Sequence, residues 1–110
     1  MPSSESSNSS LAQMWEILVP TVSNEGAKIR TEAHQIWDKK VKEVAGGLTI
    51  LTPAKGVWIA PDASEYSERM IPVRIMCSRE QILRIAKMTK DYYQQLAVLV
   101  YRISEECIVV

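Results

Sequence analysis

The residue types that can do chemistry are few in this chain, and they are scattered. Its single histidine, His34, has Glu32 and Asp38 close by in sequence. A catalytic histidine needs a carboxylate to orient it and a nucleophile within reach. Pairing on a helix surface accounts for those two carboxylates as well, so His34 alone does not argue for catalysis. Cys77 and Cys107 have no Cys-x-x-Cys spacing and no histidine beside them, so neither a metal site nor a cofactor is expected. Both lie in apolar runs, Ile75-Met76-Cys77 and Cys107-Ile108-Val109, where a buried free thiol is the ordinary outcome. Pro2 would carry the terminal amine once Met1 is removed, the base used by small tautomerases. The Ser-rich stretch through Ser10 separates it from the first apolar run, so no pocket would hold that amine. Gly46-Gly47 follows a helical pattern rather than opening one, and is no phosphate loop. Two clusters remain. Glu68-Arg69 with Trp58 and Tyr66 joins a bidentate carboxylate binder to aromatic walls, although an ion pair at a strand entrance over a packed tryptophan is the simpler account. Tyr92-Tyr93-Gln94-Gln95 closes a helical segment, with one tyrosine in the core and its hydroxyl at the rim.

The elements that must position these residues fit one domain of 110 residues, 46% hydrophobic, with 13 basic and 13 acidic side chains. A neutral chain has no electrostatic footprint for nucleic acid or an anionic membrane, so neither partner is expected. No apolar run is long enough to span a bilayer. The amino terminus has neither a basic start nor an apolar segment, which makes a cytoplasmic location the default expectation. Residues 1–12 read as a disordered Ser-rich tail, and 13–110 as a single α+β domain.

Trp15, Ile17 and Val19 alternate with Met14, Glu16 and Leu18 in a first strand ended by Pro20. Thr31 is placed to cap a helix whose inner face carries Ala33, Trp37, Val41 and Val44, with Ile36 beside them. Gly46-Gly47 supplies its left-handed stop. A hairpin is expected next, Leu48–Thr52 against Val57–Ala60 around a turn at 53–56. The strand over 68–77 contains Pro72, which predicts an edge or a bulge. Ser78 and Gln81 form a capping box for a second helix, with Ile82, Ile85, Ala86, Thr89 and Tyr93 facing in and Leu96 near its end. The run 97–103 is almost wholly apolar and reads as a central strand, followed by a short strand at 107–110.

This β-α-β-β-β-α-β order matches a ferredoxin-like, split βαβ two-layer sandwich with an extra strand: an antiparallel sheet with two helices on one face. The other face should then be polar, and it is not. Met70 and Met76 flank Arg74 on one side of their strand, and Leu99, Tyr101 and Ile103 share one side of theirs. Leu18 or Ile17, and Trp58 or Ile59, must also face away from the helices. Each large apolar side chain left wet forfeits about 1.5–3 kcal/mol relative to burial. A patch of that kind marks an interface or a ligand groove. The expectation is a homodimer stacking sheet on sheet, with a small apolar ligand as a guest in the cleft; the alternative is that the tail or the 61–67 loop covers this face within one chain.

Gly47-Leu48-Thr49, then Gly56-x-Trp58, then Glu68-Arg69, resembles a bacterial family known as domain of unknown function 3574. Gln95 matches that family's glutamine before the last strand. Trp37 stands at its first-helix aromatic position, and Asn24-Glu25-Gly26 fits its first loop. The resemblance covers about residues 14–103. It implies no particular activity, but it favours Trp58, Glu68, Arg69 and Gln95 over His34. With Tyr93 these are the candidate ligand-binding residues. The leading expectation is a dimeric binding and oligomerisation module. The alternative is a small enzyme of the dimeric α+β barrel type acting on an apolar small molecule, since such enzymes often rely on a single His, Tyr or Arg.

Overall fold

The computed structural model describes residues 12–59 and 61–110. Strand β1 (Gln13–Pro20) leads through a loop into helix α1 (Thr31–Ala45). Two short strands, β2 (Thr49–Ile50) and β3 (Ala54–Ile59), precede the long β4 (Glu65–Cys77); α2 (Arg79–Tyr92) and β5 (Val100–Ser104) complete the order. All strand pairings are antiparallel. Strands β1 and β4 lie at the centre of the five-stranded sheet, with β5 outside β1 and both β2 and β3 outside β4. This is the ferredoxin-like α+β plan expected from the order of elements.

Strand alternation builds the core. Trp15, Ile17 and Val19 stand opposite Ile75, Val73 and Ile71 in register, so all six share the face covered by the helices. Trp37 and Val41 of α1 and Ile82, Ile85 and Thr89 of α2 are buried against that face. The Trp15 indole N–H donates to the Cys77 carbonyl at 3.1 Å, tying β1 to the end of β4. The Trp37 indole donates to Thr89 Oγ1 at 2.9 Å, joining the two helices through their buried faces. The capping box forms as expected: the Gln81 N–H donates to Ser78 Oγ and the Ser78 N–H to Gln81 Oε1. Gly46 ends α1 with φ at 89°, a value that only glycine adopts without strain.

Several expectations need correction. No hairpin joins 48–52 to 57–60. Instead β2 and β3 run along the same edge of β4, β2 beside Arg74 and Val73 and β3 beside Glu65–Met70. Two prolines explain the break between them. Pro53 cannot donate, and the Pro72 carbonyl accepts from Leu51 N–H at 2.9 Å, so the Pro72 ring nitrogen faces this same edge. Its missing donor therefore costs nothing on the β1 side. That is why β4 is central and regular rather than an edge strand or bulged.

The true hairpin is β3–β4, turning through 61–64 with Asp62 Oδ1 accepting from Ser64 N–H. Strand β5 pairs with β1 alone and is an edge strand, not a central one. No strand forms at 107–110. The cap of α1 is Arg30, with no side-chain cap bond, and Thr31 is already helical. Ile36 lies outside the core and is half exposed, and Leu96, beyond the end of α2, is fully exposed. The tail expected over 1–12, Pro2 included, lies outside the described residues except for Ala12.

Candidate functional site

The face of the sheet away from the helices follows from the same registers. Met14, Glu16 and Leu18 of β1 stand opposite Met76, Arg74 and Pro72 of β4, and Tyr101 of β5 stands opposite Glu16. The Leu18 N–H donates to the Leu99 carbonyl, which brings Leu99 alongside. Further along β4, Met70 opposes Ala54, and Trp58 opposes Tyr66, their rings stacked at 4.8 Å. Nothing in the described chain packs over this layer: Met76, Leu99, Tyr101, Trp58 and Tyr66 are all exposed.

A polar triad sits at its centre. Arg74 Nε donates to Glu16 Oε1 at 3.0 Å, and the Tyr101 hydroxyl donates to Glu16 Oε2. The Glu16 side chain is only 10% exposed while that of Arg74 is 47% exposed. The carboxylate is thus sealed under its two partners, and the guanidinium looks outward. Donation to Glu16, with burial adding to it, raises the Tyr101 phenol above its ordinary value. Tyr101 therefore stays protonated and holds Glu16 across the neutral range.

None of these three was among the residues singled out from sequence. The available signal was one acidic residue inside Met14–Val19 and one basic residue inside Met70–Cys77, opposite charges alone in apolar strands. Pairing them requires the β1–β4 register.

The sequence-derived candidates divide into two places. Trp58, Tyr66 and Glu68 share one face of the β3–β4 ribbon, and strand alternation puts Arg69 on the other, opposite Lys55. All six residues of β3 are exposed. The Arg69 carbonyl accepts from Thr21 Oγ1 at 2.8 Å, which anchors the ribbon's base. Tyr93 and Gln95 lie elsewhere, under the loop between β1 and α1. Gln95 Nε2 donates to Asn24 Oδ1 and to the Tyr93 carbonyl, and Asn24 Nδ2 donates to the Gln94 carbonyl at 2.8 Å. Gln94 adopts φ of 54° in this clasp, a left-handed value that costs a non-glycine residue free energy.

The clasp also gives His34 a partner that sequence spacing did not reveal. His34 Nδ1 lies 2.6 Å from the Tyr93 hydroxyl. Burial lowers the His34 pKa, opposed in part by the charge of Asp38, and burial likewise raises Asp38 and Tyr93. The folded state thus favours neutral His34. Its contribution to stability is complete above the unfolded value near 6.5 and is lost as pH falls below it. The melting temperature is expected to drop between about pH 7.5 and pH 5.5, and the drop to flatten in His34→Gln. Asp38, raised in the folded state, acts in the opposite direction but only at lower pH, down to its unfolded value of 3.8. An equal slope in wild type and variant would exclude His34 as its source.

The thiols behave as structural groups. Both cysteines are free; Cys77 is buried and Cys107 half-buried. Burial, with Cys107 adding a smaller repulsion, pushes the Cys77 thiol up to about 11. It is neither thiolate nor accessible at neutral pH. A chromogenic disulfide reagent is expected to titrate Cys107 alone in native protein and both thiols in denaturant. Equal native rates for the two would contradict the packing of Cys77. Among the described residues no group of three or more His, Cys, Asp or Glu is placed to hold a metal ion, and no helix is long and apolar enough to cross a membrane.

No protein-family model matches this chain, and no curated protein does. Solved structures resemble it in fold. A divalent cation tolerance protein, CutA1, from Thermus thermophilus superposes with a TM-score of 0.63 at 10% identity, covering 84% of this chain and 82% of that one. A phage S-adenosylmethionine lyase in complex with S-methyl-5'-thioadenosine gives 0.64 at 11% identity, over 91% and 86%. The GlnK–ATP complex of B. subtilis gives 0.55 at 15% identity, over 87% and 84%. These likenesses establish the ferredoxin-like fold. Proteins described so differently share it that the fold does not select an activity.

Proposed function

We propose that this chain is a self-associating binding module: a homodimer meeting across the open sheet face, with any small apolar ligand held in the cleft between copies. The observation that carries the reading is the exposed apolar layer whose central charges, Glu16 and Arg74, are already paired inside one protomer. Covering Met14, Met76, Leu18, Leu99 and Trp58 recovers hydrophobic free energy. Burying an unpaired charge would cancel that gain, but Glu16 enters the contact already bonded to Arg74 and Tyr101. The zero net charge adds no long-range repulsion between copies.

Membership in the family of unknown function 3574 belongs to the same proposal, supported by Gly47-Leu48-Thr49, Gly56-x-Trp58 and Glu68-Arg69. A cytoplasmic setting is consistent with the two free thiols. The second reading, a small enzyme acting in that cleft, draws support from the phage lyase, which is a catalyst on this fold. Sedimentation equilibrium across the micromolar range tests the first reading: a mass of two copies is expected, and a monomer throughout would sink it.

A further inference from the structure

We propose that the groove between α1 and α2, on the opposite side of the molecule from the open sheet face, docks a short acidic segment of a partner protein. The groove is shallow and open to solvent, with a volume of about 560 Å³. Its floor is apolar and half-buried: Val44 from α1, and Met88 and Tyr92 from α2. Its rim carries Lys40, Arg84 and Lys87 against a single carboxylate, Asp91. Among the described residues none of these three cations forms a salt bridge; the ion pairs there involve Arg30, Arg74 and Arg102. A strongly basic rim on a chain with no net charge is a local asymmetry, and unpaired cations keep their charge available to a partner.

The floor is also held in place. The Tyr92 hydroxyl donates to the Ala33 carbonyl at 2.6 Å, and Lys40 Nζ sits 4.9 Å above the Tyr92 ring. The ring is therefore fixed as a wall, with one rim cation already stationed over it. From Arg84 to Asp91 the groove follows about two turns of α2, roughly 10 Å, the reach of a short helical segment. Charge complementarity selects the occupant: acidic side chains over the rim, and one leucine-sized side chain against Met88 and Tyr92. This surface does not depend on self-association, since the two faces are opposite.

The test is fluorescence anisotropy with a dye-labelled peptide, Glu-Leu-Asp-Glu-Leu-Leu-Glu-Asp, and its counterpart with every acidic residue replaced by lysine. Saturable binding of the acidic peptide is expected, with the basic one at least ~10-fold weaker and the acidic complex weakening steeply with salt. The variant Arg84→Glu/Lys87→Glu, both positions exposed, should lose at least ~10-fold in affinity. The milder Arg84→Gln/Lys87→Gln should fall between, with far-UV circular dichroism unchanged in both. Equal binding of the two peptides, no saturation, or affinity unaffected in both variants would overturn the proposal. So would an oligothymidine that binds wild type more tightly than the acidic peptide and is lost in the variants, since that would make the groove a nucleic-acid site.

Discussion

Met76→Asp is expected to leave the protomer folded and to abolish its association. Met76 is 40% exposed on the open face, beside Met14 in the register, so a carboxylate there meets water in the isolated chain. Across a sheet-on-sheet contact the same group would be buried without a cation, because Arg74 is already engaged by Glu16. An uncompensated buried charge costs about 3–5 kcal/mol. At about 1.4 kcal/mol per tenfold, association should weaken by at least two orders of magnitude. Sedimentation equilibrium reads the mass and thermal circular dichroism reads the fold. A variant that still associates with wild-type affinity would mean that the open face is not the contact. One that fails to fold would mean that Met76 supports the protomer itself.

Trp37→Ala is expected to be the most destabilising single substitution in the helical layer. The indole is 1% exposed, packs against Tyr93 and donates to Thr89 Oγ1. Removing it creates a large cavity and leaves Thr89 without its donor, although the Thr89 hydroxyl still donates to the Ile85 carbonyl at 2.6 Å. Tryptophan-to-alanine changes in cores cost about 3–5 kcal/mol, a large share of the roughly 5–15 kcal/mol that holds a domain together. Trp37→Phe keeps most of the volume and loses the hydrogen bond, so about 1–2 kcal/mol is expected. Urea unfolding followed by circular dichroism separates the two. Equal midpoints for Trp37→Ala and wild type would contradict the packing of α1 on α2.

Alternation and helical spacing made much of this legible. Period-two patterning assigned Trp15, Ile17 and Val19 to one face and Met14, Glu16 and Leu18 to the other. The capping box at Ser78 and Gln81 and the stop at Gly46 located helix ends through local backbone needs that only a few residue types satisfy. The open face was readable for the same reason: side-chain parity within a strand is set by covalent geometry, whatever the strand's neighbours.

Neighbours are what parity leaves out. An apolar run such as 97–103 looks central, yet β5 is an edge strand, and Tyr101 within it and Leu99 just before it belong to the open face. Pro72 suggested an edge, yet its missing donor faces Leu51 at the end of β2, on the side of β4 away from β1. Which side of a strand a proline impoverishes depends on the register, and no local pattern encodes that.

By itself, then, the sequence determined both helices, the first strand, their buried stripes and the surplus of apolar side chains on one face, because these rest on the two short periods of the backbone. The tertiary structure alone decided the strand order and the centre of the open face. Glu16 meets Arg74 and Tyr101 across 58 and 85 residues. Contacts at such separations form only when strand pairing closes the intervening chain. The same closure divided Trp58, Glu68 and Arg69, adjacent along the ribbon but not on one face, from Tyr93 and Gln95, which lie instead beneath the loop that leads into α1, where Tyr93 meets His34.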